Sequence, residues 1–336
     1  MSTRRTTSQD VAEHAGVSQS AVSRVFTPGA SVSKKMADRV RASATALGYR
    51  PNVLARSLIT GQSRIIGLVV SYLDNQFYPE ALERLSRGLQ ARGYHVLVFM
   101  SQDGEDLDEV IQEILDYQVD GIVMASVAMS DGLAARCEAA GKPVVLFNRG
   151  QDTDRVSQVT AANRIGGAKV ADHLVAGGHA RIAHISGWLG AMTGRDRAAG
   201  FRDRLAHHGV DLVGEIDGAY RRDRASTAAR DLMAGPKPDA IFVGNDVMAF
   251  AVMDTLRFEL GLSVPRDVAI VGFDDVAMAA WPAYDLTTVR QPADRMVTAT
   301  IDMLLGRIDD PASTPQKLEI DGPLIQRGST RPVEAL

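Results

Sequence analysis

The residues of this chain best suited to recognition chemistry follow short apolar runs. Ser71-Tyr-Leu-Asp-Asn-Gln-Phe-Tyr78 comes after Ile65–Val70, and Asn148-Arg149 after Val144–Phe147. Asn245-Asp246 and Asp274-Asp275 close the runs at 241–244 and 270–273, while Gly194-Arg-Asp-Arg197 opens a helical stretch. Arginine forks, carboxylates, amides and an aromatic wall are equipment for holding a polyhydroxyl ligand. Several of these groups also have a plainer structural reading. Asp246 and Asp275 read as helix caps, Arg195 as a surface residue or a reader of an acidic group, and Trp188 and Trp281 as surface or hinge packing.

Bond-breaking chemistry finds little support. There is no Gly-x-Ser-x-Gly nucleophile elbow and no Gly-x-x-x-x-Gly-Lys phosphate loop. His179 and His184 are five apart, off the i, i+4 spacing that would share a metal on a helix, and His207-His208 point in different directions on one. Gly166-Gly167 lies in a helix-like stretch, not at the strand-to-helix turn a dinucleotide site needs. The single cysteine, Cys137, sits in an Ala-rich helical pattern and reads as a small core residue. The expectation is a protein with no catalytic residues, no cofactor and no metal.

The elements that must position the binding groups alternate. Apolar runs at Ile65–Val70, 96–100, 121–124, Val144–Phe147, 182–185, Ala240–Val243 and 268–273 are separated by helix-like segments at 79–91, 106–117, 163–175, 195–207 and 246–260. Buried runs alternating with helices predict a parallel sheet covered on both faces, an α/β fold. Residues 63–331 exceed one typical core, so two lobes are expected. Ligands in open α/β sheets bind beyond the carboxyl ends of the strands, which is where the polar clusters fall.

Charge is divided unevenly along the 336 residues. The whole chain carries −4, but residues 1–62 hold nine basic side chains against three acidic ones, a head of +6 on a body of −10. A basic head on an acidic body predicts a polyanion partner for the head alone. Thr7 caps a first helix, Gly16-Val17 breaks it, and Ser18 caps a second that runs to Phe26. Ser33 caps a third, with Met36, Val40, Ala44 and Leu47 closing a small core, and Gly48 stops it. Two short helices joined by a tight turn make a helix-turn-helix, whose second helix enters the major groove. That helix exposes Gln19, Ser20 and Arg24; glutamine suits adenine and arginine suits guanine through paired hydrogen bonds. No apolar run reaches the about 18 residues of a membrane span, and Met1–Arg5 lead into polar sequence without an apolar signal region, so a cytoplasmic protein is expected.

Asp10-Val-Ala-Glu-His-Ala-Gly-Val-Ser18, Ala21-Val-Ser-Arg-Val-Phe26, Leu47-Gly-Tyr-Arg-Pro-Asn52 and Ala55-Arg-Ser-Leu58 closely resemble the lactose-repressor (LacI/GalR) family of transcription regulators. The resemblance runs to about residue 331; Ala21 and Thr27 stand where the family often has Thr and Asn. It implies a helix-turn-helix DNA-binding domain over 1–50, a hinge helix and linker over 51–62, and a periplasmic-binding-protein-like body over 63–331. The body would have an N-lobe (63–160 and 291–319) and a C-lobe (161–290 and 320–331), with chain crossings near 160, 290 and 320. Double-stranded operator DNA would meet Thr7, Ser18, Gln19, Ser20, Ser23, Arg24, Asn52 and Arg56, with Leu58 wedging into the central minor-groove step. The same resemblance implies effector binding between the lobes by Asn75, Phe77, Asn148, Arg197, Tyr220, Asn245 and Asp274, with Arg197 as anchor and Tyr220 stacked on the ligand. A sugar or sugar derivative is the expected effector, and a purine-type effector stays open. The expected assembly is a homodimer, since no heptad tail follows Arg331. A transport-type sugar receptor on the same body is the alternative reading, opposed by the basic head and the missing signal.

Overall fold

The computed structural model describes residues 6–27, 30–50, 62–101, 107–126 and 130–333. The chain separates into two compact units, residues 1–63 and 64–336. Asn52, Arg56 and Leu58, expected in a hinge helix, lie outside the described residues.

The first unit is three helices: α1 (Ser8–Ala15), α2 (Gln19–Val25) and α3 (Lys34–Ala46). Each start is capped as its sequence predicts. The Thr7 hydroxyl accepts from the Asp10 N–H while the Asp10 carboxylate accepts from the Thr7 N–H, a reciprocal capping box. Ser18 and Ser33 accept from the N–H groups of Ala21 and Met36. Gly16 ends α1 in the left-handed region at φ 60°, which a side chain would strain. Val11, Ala12, Ala15, Val22, Val25, Val40 and Ala44 form the small core.

The second unit is two doubly covered sheets. The first contains β1 (Ile65–Val70), β2 (His95–Met100), β3 (Gly121–Ala125), β4 (Val144–Phe147), β5 (Ser157–Ala161) and β11 (Lys317–Ile320), in the order β11-β5-β4-β3-β1-β2, all parallel. Helices α4 (Phe77–Ala91), α5 (Leu107–Asp116) and α6 (Asp131–Ala139) connect its strands. Along β1, Ile66, Leu68 and Val70 pack with Leu85 and Leu89 of α4, whereas Val69 packs with Ile111, Ile114 and Cys137 on the other face. Burial on both faces is why such a strand is apolar throughout instead of alternating.

The second sheet contains β6 (Ile182–Ser186), β7 (Gly214–Asp217), β8 (Ala240–Val243), β9 (Ala269–Asp274), β10 (Thr287–Arg290) and β12 (Leu324–Ile325), in the order β12-β10-β9-β8-β6-β7. Its strands are parallel except β12, which runs antiparallel to β10. Around it lie α7 (Asn163–Ala176), α8 (Met192–His207), α9 (Arg222–Ala234) and α10 (Asp246–Asp254), the last continued by a π-turn at Thr255–Glu259. Helix α11 (Ala293–Asp309) returns to pack on the first sheet. The chain thus passes between sheets three times: after β5, after β10 and between β11 and β12. A helical N-terminal unit and a separate unit of two α/β lobes bear out the predicted fold class.

Three local expectations are corrected. β2 is apolar but is an edge strand, leaving Val98 54% and Met100 49% exposed. Helix α8 starts at Met192, three residues earlier than its periodicity suggests. Asp246 and Asp275 are not helix caps. Asn245 caps α10, its side-chain oxygen accepting from the Met248 N–H at 2.9 Å. The fully buried Asp246 instead accepts from the Thr288 hydroxyl at 2.6 Å and the Val276 N–H at 3.0 Å. Asp275 is held by Arg290 and Arg327, each at 2.6 Å.

Candidate DNA-facing helix and effector cleft

On the head, Ser18, Gln19, Ser20, Ser23 and Arg24 are all exposed at and along α2, while Ala21, Val22 and Val25 turn inward. The 3.6-residue period of the helix makes that division: core residues at 21, 22 and 25 leave 19, 20, 23 and 24 facing solvent. Ala21 is 4% exposed, so its side chain belongs to the core. The Gln19 carboxamide donates to the Ser8 hydroxyl at 2.9 Å, and the Ser18 and Ser20 hydroxyls share a 2.9 Å hydrogen bond. Among the described residues, Arg24 hydrogen-bonds only the Ser20 carbonyl, through a long 3.4 Å contact, leaving its guanidinium available to bases or phosphates. Thr7 is exposed, but its hydroxyl is committed to Asp10.

In the body, the polar clusters meet where the carboxyl ends of the two sheets face each other. Tyr72, Asn75, Tyr78, Asn148 and Arg149 come from the first lobe, Thr193, Arg197, Tyr220, Asn245 and Asp274 from the second, and Gln291 from a crossover. They enclose about 20 Å³ of free space, room for roughly one water. Six of the seven predicted effector residues line this chamber. Phe77 does not: it is 3% exposed and stacks on Phe147 beneath the cleft, ring centroids 6.0 Å apart. Its neighbours Tyr72 and Tyr78 supply the aromatic wall, packed edge to face at 5.4 Å.

Asp274 is the centre of the closed cleft. Across the gap the Asn75 amide donates to it at 2.8 Å, and the Gln291 amide donates to its other oxygen at 2.6 Å. Burial pushes its carboxyl above the usual range, against the pull of the Arg197 charge and these two donors. Asp246, just behind, is pushed up to about 7 by burial first and by the Asp274 charge second. Burial also raises both tyrosine hydroxyls, Tyr78 to about 12. At neutral pH they are neutral donors and acceptors.

Arg197 is 4% exposed and fixed from three sides. Its Nε and Nη2 donate to the Asn163 side-chain oxygen at 3.2 and 2.7 Å, Nη1 donates to the Gly244 carbonyl, and its guanidinium carbon lies 3.4 Å from the centre of the Phe273 ring. Three of its five donors are thereby occupied and two remain. Helices α7 and α8 must approach closely to allow this: a Cβ on Gly167 would overlap the Arg197 carbonyl, and one on Gly200 the Arg164 carbonyl. Four non-glycine residues at the cleft have positive φ: Asn148 at 55°, Tyr220 at 58°, Asp274 at 131° and Asp275 at 57°. Such backbone costs about 1–3 kcal/mol per residue and persists where surrounding structure enforces it, typically at binding sites.

Tyr72, Tyr78 and Arg149 fall in the polar clusters that the sequence marks after β1 and β4, though outside the assigned effector set, whereas Thr193, Gln291 and the Arg197 partner Asn163 are not singled out as site residues by the sequence. Gln291 and Asn163 follow strands with polar sequences, Thr287–Arg290 and Ser157–Ala161, whose weak hydropathy hides them. Among the described residues, no cluster of His, Cys, Asp and Glu could hold a metal, and no helix is long and apolar enough to cross a membrane. Cys137 is fully buried, and burial pushes its thiol up to about 11, which keeps it protonated.

Comparison with known proteins agrees with this geometry. Residues 7–52 match the model of bacterial regulatory proteins of the lacI family, and residues 171–330 that of the periplasmic binding protein-like domain. The ribose operon repressor of Escherichia coli (strain K12) is 31% identical over 331 residues, covering 96% of this chain and 99% of that protein. The transcriptional regulator CelR of Thermobifida fusca is 32% identical over 338 residues, covering 97% and 98%. A crystal structure of the lac repressor dimer bound to operator and an anti-inducer is 27% identical and superimposes with a TM-score of 0.87 over 97% of this chain and 99% of that one. With identity at this level over nearly its whole length, the chain belongs to the lacI family of bacterial regulatory proteins.

Proposed function

We propose that this protein is a sequence-specific transcription regulator, a repressor whose operator affinity is set by a sugar or sugar derivative bound between the two lobes. The observation that carries this reading is a single chain with an exposed α2 surface on its basic head and a polar interlobe cleft organised by a clamped arginine. Gln19, Ser20 and Arg24 read base edges, with Ser18, Ser23 and Thr7 placed for the backbone. The hinge residues Asn52, Arg56 and Leu58 complete the operator contact. The lobes divide at the three sheet crossings, close to residues 160, 290 and 320. Binding, not catalysis, is the work of the cleft, and the protein acts in the cytoplasm.

Two copies associate through the body. Val98 and Met100 on the edge strand β2, Phe258 at 82% exposure, Leu260 and Trp281 are apolar side chains left bare on one protomer. Exposed apolar surface of this kind marks association, and the lac repressor with which the chain superimposes is a dimer on its operator. A ligand shifts such a regulator only by its differential affinity for the lobe arrangements. The polyhydroxyl reading rests on the chamber itself, where amides, three tyrosine hydroxyls, a carboxylate and an arginine converge.

The test is an operator selected from random duplexes, with binding followed by fluorescence anisotropy under titration with sugars. Arg197→Ala should keep operator affinity and lose the ligand response. A normal dose response in that variant removes Arg197 from the site, and failure to select any DNA sequence refutes the regulator reading.

A further inference from the structure

The cleft carries one cation more than its own carboxylates neutralise. Around the chamber and the adjoining groove of about 330 Å³ stand three arginines, at 149, 195 and 197, and two aspartates, at 152 and 274. Arg195 pairs with Asp152 at 3.1 Å across the lobes. Arg197 is the cation that acts on Asp274. Arg149 forms no ion pair among the described residues. One Nη donates to the Ser126 carbonyl at 2.8 Å, and the guanidinium lies 5.5 Å from the Trp188 ring centre. Its Nε is buried with no hydrogen-bond partner.

An unpaired buried donor on a charged group is costly and marks a place where a partner is missing. The neighbouring polar atoms point the same way. Asn148 is 7% exposed and Gln291 4% exposed, and each has a buried side-chain oxygen with no donor. Two free acceptors call for hydroxyl groups, and a free guanidinium calls for an anion. Opposite Arg149, α8 begins at Met192 with no side-chain cap, and Ala191 and Met192 line the same groove. A helix start with free N–H groups favours negative charge.

Arg149 belongs to both spaces, the inner chamber and the outer groove. A ligand whose hydroxyls occupy the chamber would place a terminal substituent against it. We infer that the effector is a polyhydroxyl compound carrying an anionic group, phosphate or carboxylate, seated between Arg149 and the start of α8. This deepens, and rests on, the effector reading proposed above.

Trp188 beside Arg149 provides the probe, because the chain has only two tryptophans. In full-length protein carrying Trp281→Phe, Trp188 fluorescence is titrated with inorganic phosphate at constant ionic strength. The same titration follows with ribose against ribose 5-phosphate and with glucose against gluconate. The expected result is a saturable response to phosphate that chloride does not produce, and at least tenfold tighter binding of an anionic sugar than of its neutral partner. Arg149→Gln should erase that preference. Equal affinity for neutral and anionic partners, a preference that survives Arg149→Gln, or no saturable response to any anion overturns the inference. If a neutral sugar then binds and Arg197→Ala removes it, the effector reading stands and only the anion subsite falls. Silence from neutral and anionic sugars alike refutes both.

Discussion

Replacing Asp246 with Asn should make the body more stable as pH rises, because the fold holds this carboxyl in a place that resists ionisation. Asp246 is fully buried at the head of α10, with Asp274 and Asp275 as its charged neighbours and only the Thr288 hydroxyl and the Val276 N–H supporting negative charge. Burial and the Asp274 charge raise it to about 7 from an ordinary value of 3.8. Below the ordinary value both folded and unfolded chains hold the proton, and the group costs nothing. Between there and about 7 the unfolded chain releases the proton while the folded chain keeps it, so stability falls as pH rises. The slope from this group approaches about 1.4 kcal/mol per pH unit. From pH 5 to 7 that amounts to about 2–3 kcal/mol, or a fall in Tm of roughly 5–10 °C for a body of this size. Half-buried His173 and buried His179 and His184, whose imidazoles burial holds below the ordinary range, work in the opposite direction as pH falls. The assay is therefore the difference in Tm between Asp246→Asn and the parent, measured from pH 4.5 to 8. The difference should grow in favour of the variant up to about pH 7 and then level off. Parallel curves would refute the reasoning, since they would mean that Asp246 ionises in the folded state as readily as in the unfolded one.

Other variants test separate parts of the structure. Arg24→Ala should cost about 1–3 kcal/mol at the selected operator and relax preference at one base pair; an equal loss on unrelated DNA would make Arg24 a phosphate contact only. Thr7→Ala removes the hydroxyl half of the capping exchange, leaving the backbone N–H at position 7 on the Asp10 carboxylate, and should cost the head about 1 kcal/mol, read as faster amide exchange in α1 with the body unchanged. Gly200→Ala sets a methyl group against the Arg164 carbonyl, which forces α7 and α8 apart. It should cost about 1–3 kcal/mol and weaken ligand affinity along with Tm, whereas a neutral melt would show that the helices have room to spare.

Much of the fold was legible because its signals are local. The caps at Thr7, Ser18 and Ser33 and the stop at Gly16 are decided within four residues, and they appear as expected. Seven strands could be recognised from apolar runs: parallel strands buried on both faces must be apolar throughout, and the edge strand β2 is apolar as well although Val98 and Met100 face solvent. Of the strands that escaped notice, β12 is only two residues long and the others are polar in sequence. Ser157, Gln158 and Thr160 in β5, and Thr287 and Thr288 in β10, are buried through hydrogen bonds that hydropathy does not register. The edge strands β7 and β11 alternate or face solvent, which dilutes their pattern further.

The sequence by itself determined the three-helix head, the alternation that builds two parallel sheets, and the short clusters at strand ends from which a binding site is drawn. Each depends on neighbours along the chain or on a period of 2 or 3.6. Tertiary structure decided which cluster members share the cleft. It set Phe77 under the wall and Tyr72 and Tyr78 in it, and made Asn245 the cap and Asp246 the buried acid. It also brought Asn75 to Asp274 across 199 positions and, among the described residues, left Arg149 without a carboxylate. Those outcomes turn on burial and on partners supplied by distant strands, and the energy of a charged group depends on its surroundings far more than on its sequence neighbours.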